Sequence, residues 1–372
     1  MAPDLINCID PLIMTADKGN LNMTKQYAER KRDFRLDNLR GILILIVVIG
    51  HFLLPMERTR LVTGLIYAIY VFHMPCFMIV SGCLAGSVYK NGRFRWGKIV
   101  QLLWLYMVYE IIVNITEGLL AGQIPPLPDF LHESGAPWYL LSLATYYMTI
   151  PVFHKLKGSP ARNLIVLCVM MAAVSFAKYF IHVGDFLALD RTLTLLPFFY
   201  AGYYTSHSSA GSFFQKPVRW AAGALALIIL AIILCCTYDH FMKYHLVVYG
   251  ADYTRYLPEM WGYLWALNMF WYMLAFTVSF GLAALTPDRE MSLLTYLGKN
   301  TLQIYILHRP IRDLMQYFGF YDAVSAHNKF HVAGVILLSI LLTLVLSAKP
   351  LTLAFTKLRS VFDPLLEKCG AL

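Results

Sequence analysis

Charged side chains are scarce in this sequence, and their scarcity excludes most classes of soluble protein. Asp, Glu, Lys and Arg make up 14% of the 372 residues, whereas hydrophobic residues make up 58%, and the mean hydropathy is +0.57. A soluble domain carries about 25% charged residues, so there is too little charge here to cover a globule of this length. The composition therefore predicts an all-α, polytopic integral membrane protein and argues against a soluble enzyme, a secreted disulfide scaffold or a disordered chain.

Paired cysteines and a cleavable leader are also lacking. The seven cysteines form no C-x-x-C unit, and most lie in apolar runs, so we expect neither a disulfide framework nor a metal site. Residues 1–26 are mixed and polar, unlike a signal peptide, and we expect a flexible cytoplasmic segment there. No basic stretch is interleaved with aromatic residues, so the net charge of +9 does not indicate a nucleic-acid partner.

Long apolar runs are abundant. A membrane-spanning helix needs about 20 mostly apolar residues. Runs of this kind predict about ten transmembrane helices, near residues 34–55, 61–88, 96–120, 138–154, 163–183, 191–206, 218–237, 260–286, 293–320 and 331–355. Most of the 31 lysines and arginines fall in alternate gaps between the runs, so the positive-inside rule places both termini in the cytoplasm. We predict a multi-pass protein of the cell membrane, with a flexible segment 1–26, a single membrane domain 27–360 and a cytoplasmic tail 361–372.

The first apolar run contains two ionisable residues whose spacing suggests a site. Arg40 and His51 are eleven residues apart, which is roughly 16 Å along a helix and brings both side chains to the same face. Asp37, three residues before Arg40, can hold the guanidinium in place. A fixed cation near the membrane boundary suits a substrate phosphate, and a neutral imidazole deeper in suits a general base. Alternatively, Arg40 is an ordinary positive-inside anchor and His51 a hydrogen-bonded packing residue.

The second run places a histidine at membrane depth. His73 lies two residues before Pro75, which should kink the helix, and Ser81 and Gly82 allow close helix approach. The functional interpretation puts His73 at the edge of the same cavity as His51. The alternative is a packing kink with a hydrogen-bonded histidine.

The ninth run is rich in polar residues. Thr301, His308 and Arg312 share one face of a helix, and Pro310 should interrupt that helix just after the histidine. Polar groups at this density must face protein or water rather than lipid. The alternative is that the arginines merely mark the outer interface.

Four motifs, in order along the chain, resemble those of one family. The first run reads L-D-N-L-R-G and continues to His51 as an Arg-x10-His pattern. The other three are F-H-M-P-C-F-M-I-V-S-G (Phe72 to Gly82), W-Y-L (Trp138 to Leu140) and G-K-N-T-L-Q-I-Y-I-L-H (Gly298 to His308). The chain resembles the acyltransferase-three superfamily of membrane-bound O-acyltransferases, which includes fucose 4-O-acetylase-like proteins. One element departs from the family pattern: an R-x-x-R-like pair is Arg95-x-x-Lys98 here, and lysine lacks the bidentate fork of arginine.

The resemblance implies transfer of an acyl group, usually acetyl, from cytosolic acyl-CoA to a hydroxyl of a cell-envelope or exported carbohydrate. It implies His51 as the catalytic base, Asp37 as an orienting residue and Arg40 as the contact for the CoA phosphates. The other implied substrate-binding residues are Arg95, Lys98, His73, Ser81, Trp138, Thr301, Tyr305 and His308. Acyl-CoA would be the donor substrate rather than a tightly bound cofactor, no metal is implied, and the partners are the glycan acceptor and membrane lipid.

Two other functions fit the same polar residues. A transporter or flippase for a glycan or lipid-linked precursor also needs polar groups at mid-membrane, although the sequence shows no inverted repeat. A membrane-sensing module, similar to the membrane half attached to some serine racemases, is the third alternative. Loss of chemistry on removal of the His51 imidazole, with the fold intact, is expected of the enzyme alone.

Overall fold

The computed structural model describes residues 34–90, 93–125, 127–133, 135–180, 184–205, 216–236 and 262–369. The predicted flexible segment 1–26 lies outside these ranges. The helices in chain order are α1 (Phe34–Leu53), α2 (Arg60–Tyr70), α3 (His73–Leu84), α4 (Gly97–Leu120), α5 (Trp138–Leu156), α6 (Pro160–Ala177), α7 (Leu189–Thr205), α8 (Lys216–Cys236), α9 (Leu264–Leu285), α10 (Ser292–Lys299), α11 (Thr301–Tyr317), α12 (Lys329–Leu346), α13 (Lys349–Arg359) and α14 (Asp363–Lys368). Two short strands, β1 (Tyr89–Lys90) and β2 (Arg93–Phe94), pair antiparallel between α3 and α4.

Seven helical stretches of the described chain are long and apolar enough to cross a membrane. They are Phe34–Leu53, Arg60–Ser87, Gly97–Leu120, Pro160–Ala177, Val218–Cys235, Leu264–Leu285 and Lys329–Leu346. The prediction of an all-α membrane protein is therefore confirmed. The count of about ten spans, the side on which the termini lie and the domain boundaries stay predictions.

The second and ninth predicted runs are each two helices rather than one. α2 ends at Tyr70 and α3 begins at His73, so the chain bends where Pro75 removes the donor for a carbonyl group one turn back. In the ninth run the break lies at Asn300, between α10 and α11. The expectation that Pro310 interrupts the helix is wrong, because α11 continues through it. Proline removes a single backbone bond, and α1, α4 and α12 pack around α11 and hold the helix together.

The last predicted run, 331–355, is also divided. α12 ends at Leu346, and α13 begins at Lys349 with Pro350 in its first turn. The Ser347 hydroxyl donates a hydrogen bond to the carbonyl oxygen of Leu344 at 2.7 Å, where α12 ends. α13 then packs against α4 and α11, so this segment lies beside the helix bundle.

Aromatic side chains fill the core between the helices. Tyr146, Phe198 and Tyr272 are fully buried. The Tyr146 hydroxyl donates to the carbonyl oxygen of Thr192 at 2.6 Å, and the Tyr272 hydroxyl donates to that of Thr194 at 2.8 Å. These bonds satisfy polar groups that lipid could not satisfy, and they tie α5 and α9 to α7.

Glycine allows two helix pairs to pack backbone against backbone. A Cβ added to Gly298 on α10 would overlap the carbonyl oxygen of Asp37 on α1. One added to Gly82 on α3 would overlap the carbonyl oxygen of Phe199 on α7. The close approach predicted at Gly82 is therefore present, and α1 is fixed tightly against α10 beside the predicted site.

Asn38 anchors the start of α1. Its fully buried amide nitrogen donates to the carbonyl oxygens of Pro287 at 3.0 Å and Arg289 at 2.8 Å. Its amide oxygen accepts a hydrogen bond from the Thr295 hydroxyl at 2.6 Å. These bonds join α1 to the chain around α10, and α11 follows directly after α10. They therefore fix the position of Arg40 along the axis of α1 relative to α11.

Candidate active site

A cavity of about 700 Å³ lies among α1, α3, α4, α5, α7 and α11. Its volume is typical of small-molecule sites. Seven of the predicted site residues line it: Arg40, His51, His73, Ser81, Trp138, Thr301 and Tyr305. Residues from four separate sequence motifs therefore share one space, together with apolar side chains such as Ile44 and Phe77.

Arg40 is held in position from two sides. Its Nη2 donates to the Thr301 hydroxyl at 3.0 Å, and its Nη1 lies 3.8 Å from Oδ1 of Asp37. A guanidinium has five N–H donors, so donors remain for a ligand in the cavity. Asp37 does not line the cavity and lies about four helical turns from His51. Its carboxylate can therefore orient Arg40 but cannot touch reacting atoms near the imidazole.

His51 lies against a second histidine. The rings of His51 and His308 meet edge to face with centroids 4.9 Å apart. His308 is fully buried and does not line the cavity, contrary to expectation, because it stands behind His51. Its Nδ1 donates to the carbonyl oxygen of Ile304 at 3.0 Å, which leaves Nε2 as an acceptor. Nδ1 of His51 and Nε2 of His308 are both buried without a hydrogen-bond partner among the described residues.

The third imidazole of the site belongs to His73. Its Nδ1 donates to the carbonyl oxygen of Ile69 at 2.9 Å, across the break between α2 and α3. Its ring packs edge to face on Tyr70, with centroids 4.6 Å apart, and Tyr70 in turn lies 6.2 Å from the His51 ring. His73 therefore lines the same cavity as His51. The Tyr70 ring contacts both imidazoles and connects them.

An aromatic wall faces α1 across the cavity. The hydroxyls of Ser81 and Tyr139 are hydrogen-bonded at 2.7 Å. The Tyr139 ring lies 5.5 Å from that of Tyr305. Trp138 continues the wall, and the Arg191 guanidinium lies 5.8 Å from its ring centroid. This wall combines flat apolar surfaces with hydroxyl groups.

The loop before α5 closes one end of the cavity. The Tyr305 hydroxyl donates to the carbonyl oxygen of Ala136, and Nη1 of Arg191 donates to that of Gly135 at 3.1 Å. Gly135 and Ala136 both line the cavity. Two helices thus hold this loop by its backbone.

Arginines at the same end are neutralised by carboxylates. Arg309 and Arg312 line the cavity. Arg309 lies 3.6 Å from both Glu117 and Asp313, and Nε of Arg312 donates to Asp313 at 2.8 Å. We define this end, with Arg309, Gly135 and Ala136, as the Arg309 end. The opposite end, where α3 finishes and α4 begins, is the Arg40 end.

The predicted donor-binding pair lies beside the cavity rather than in it. Arg95 is in the turn before α4, and Lys98 in its first turn donates to the Ser87 hydroxyl. Neither side chain lines the cavity. Both stay predicted contacts for a ligand that extends outside it.

Sequence reasoning missed Arg359, which does line the cavity. This last residue of α13 interacts electrostatically with Lys98. The prediction of a single span over 331–355 leaves Arg359 as an ordinary basic residue after it. Pro350 was the available signal, because proline favours the first turn of a new helix.

Comparisons with known proteins identify the family. The chain matches the family described as an acyltransferase domain, acyltransferase-3, over residues 33–348. Nodulation protein NolL of Sinorhizobium fredii is 34% identical over 135 residues, 33% of this chain and 37% of the relative. Nodulation protein NolL of Mesorhizobium japonicum is 24% identical over 209 residues, 52% of this chain and 51% of the relative. The chain thus spans about a third to a half of the length of these relatives, and no solved structure matches it significantly. It is a multi-pass membrane protein and belongs to the acyltransferase-3 family.

Proposed function

We propose that the protein is a membrane O-acyltransferase that moves an acyl group, most simply acetyl, from acyl-CoA to a hydroxyl of a carbohydrate. One observation carries the proposal: Arg40 and His51, on the same face of α1, line a single cavity. Arg40 is oriented by Thr301 and Asp37, and Nδ1 of His51 is buried, which leaves Nε2 as the nitrogen that can face the cavity. Membership of the acyltransferase-3 family supports this chemistry.

The donor would lie along α1. Arg40 binds phosphate oxygens at the Arg40 end, where basic side chains gather. The rise from Arg40 to His51 is roughly 16 Å, a span that an extended pantetheine arm covers. The thioester then lies beside the imidazole. In the predicted topology the Arg40 end faces the cytosol, where acyl-CoA is made.

His51 would act as the general base. Nε2 takes the proton from the acceptor hydroxyl while its oxygen attacks the thioester carbonyl. The new C–O bond forms, the C–S bond breaks, and the CoA sulfur leaves as a thiolate that receives the proton from His51. Removal of a positioned general base costs about 10²- to 10⁴-fold in rate.

The acceptor would bind against the aromatic wall. Trp138, Tyr139 and Tyr305 offer flat surfaces for the apolar face of a sugar ring, and the Ser81 hydroxyl offers a hydrogen bond. His73 borders the same space. A wall of this composition supports a carbohydrate acceptor.

Release of free CoA from acetyl-CoA by the detergent-purified protein tests the proposal. Slow transfer to water should occur without an acceptor. We expect His51→Ala to abolish release while still binding CoA, and Arg40→Ala to raise the Kd for CoA. His327→Ala is the matched control, because His327 is an exposed histidine whose ion-pair partner is Glu57. A well-folded wild-type protein that neither binds acetyl-CoA nor releases CoA would refute the proposal and favour the transporter.

A further inference from the structure

The end of α13 and the chain that follows it are docked on the N-terminal part of α4. The indole Nε1 of Trp104 donates to the carbonyl oxygen of Leu358 at 2.9 Å, and the Gln101 amide donates to Oδ1 of Asp363 at 2.6 Å. The Trp104 ring also meets that of Phe362 edge to face, with centroids 5.3 Å apart. The backbone is therefore held on both sides of the intervening residue 359.

The other side of α13 is fixed as well. Phe355 is buried in a cluster that includes Leu105 and Ile306. The Gln303 amide donates to the Thr352 hydroxyl at 2.8 Å. Because α13 contacts both α4 and α11, its last residue has a defined place at the Arg40 end of the cavity.

Arg359 occupies that place without a counter-ion. Its side chain lines the cavity, yet it forms no hydrogen bond or ion pair with the described part of the chain. Lys98 is its electrostatic neighbour, and Lys98 in turn interacts electrostatically with Arg95. No described carboxylate forms an ion pair with any of the three. Positive charges gathered without a protein anion repel each other, and a bound anion removes that repulsion.

We infer that Arg359 binds the 3′-phosphate of the CoA donor. The inference rests on the proposed function, in which the donor enters thioester first and Arg40 holds a phosphate nearer the reacting centre. The nucleotide end then lies outermost, where Arg359 is exposed and Lys98, itself near Arg95, lies beside it. Arginine binds phosphate with two parallel hydrogen bonds, which lysine cannot supply. Arg359 lies beyond the part of the chain that matches the family, residues 33–348.

A binding cycle with two ligands tests the inference. The Kd values of CoA and dephospho-CoA, which lacks the 3′-phosphate, are measured for wild type and Arg359→Gln by calorimetry in detergent. We expect wild type to prefer CoA and Arg359→Gln to lose about tenfold in affinity for CoA only. Lys357→Gln is the matched control, because Lys357 is an exposed cation on the same helix that does not line the cavity. Arg359→Lys should recover part of the affinity.

Several results would overturn the inference. If Arg359→Gln binds CoA with the same Kd as Lys357→Gln, Arg359 does not belong to the donor site. An equal loss for both ligands would exclude the 3′-phosphate contact. A lipid headgroup phosphate has the same chemistry, so the measurements are repeated with phosphatidylglycerol. If Arg359→Gln changes the Kd for this lipid and leaves the Kd for CoA unchanged, Arg359 is a lipid anchor. Wild type that binds no CoA would instead overturn the proposed function, and this inference with it.

Discussion

Replacing His308 should slow turnover without weakening donor binding. His308 is fully buried and does not line the cavity, so we expect it to act through His51 rather than on substrate. Its Nδ1 donates to the carbonyl oxygen of Ile304, which leaves its Nε2 as an acceptor without a partner among the described residues. The ring centroids of His308 and His51 lie 4.9 Å apart. Nδ1 of His51 is likewise buried without a partner among the described residues. We expect these two nitrogens to pair during catalysis, so that the proton of His51 stays on Nδ1 and the lone pair of Nε2 faces the acceptor.

The magnitude follows from the hydrogen bond that is lost. In His308→Leu, an N–H on Nδ1 of His51 has no acceptor, and a buried donor without a partner costs about 1–3 kcal/mol. The reactive tautomer is disfavoured by that amount. At about 1.4 kcal/mol per factor of ten, kcat should fall about 5- to 150-fold. The KM for acetyl-CoA should change little, because Arg40 and its partners are untouched.

The assay is CoA release at saturating acetyl-CoA, compared among wild type, His308→Leu and His308→Gln. Glutamine places an acceptor oxygen near the position of Nε2, so it should recover at least part of the lost kcat, whereas a packing role alone gives no such recovery. Thermal unfolding in detergent and the Kd of CoA serve as controls for the fold. A kcat for His308→Leu within twofold of wild type would refute the reasoning. Equal losses of kcat in His308→Leu and His308→Gln, both well folded, would refute it as well.

Two further predictions test the placement of α1 and α13. Gly298→Ala should lower the unfolding temperature and raise the Kd of CoA, because the added methyl group overlaps the Asp37 carbonyl oxygen and shifts the turn that carries Arg40. The overpacking costs about 1–3 kcal/mol, and Gly334→Ala, where a Cβ meets nothing within 4 Å, is the control. Trp104→Phe removes the hydrogen bond to the chain before Arg359 and should raise the Kd of CoA severalfold. Wild-type affinity in Trp104→Phe would show that this bond does not position Arg359.

The apolar runs predicted several helices closely because lipid imposes a simple requirement on length and composition. The runs 34–55 and 96–120 became Phe34–Leu53 and Gly97–Leu120. The breaks at Asn300 and after Leu346 were not predicted. They depend on caps and on packing partners distant in sequence, which an apolar run does not reveal. Pro310 shows the same limit, since α11 continues through it between packed neighbours although local propensity would interrupt the helix.

Helical spacing placed Arg40 and His51 on one face, because a period of 3.6 residues is a property of α1 alone. It could not separate a residue in the cavity from one behind it. Thr301 and His308 share a face of α11, yet Thr301 bonds Arg40 in the cavity and His308 is buried behind His51. The difference is set by the position of α1 against α11, which the buried amide of Asn38 and the close contact at Gly298 determine.

There is also a physical reason why the sequence did not predict Arg359 at the Arg40 end of the cavity. A terminal basic residue usually marks the cytoplasmic boundary and carries no further information. Arg359 differs because side chains of α4 and α11 hold its helix beside the cavity. Its helix is thereby held so that the guanidinium stays near Lys98, which also interacts electrostatically with Arg95. A basic residue on a mobile segment can move away from neighbouring positive charges into water. A basic residue on a helix that is held in place stays near those charges, and the repulsion between them lasts until an anion binds. The position of such a residue therefore depends on Trp104 and Gln303, which lie far from it in the sequence.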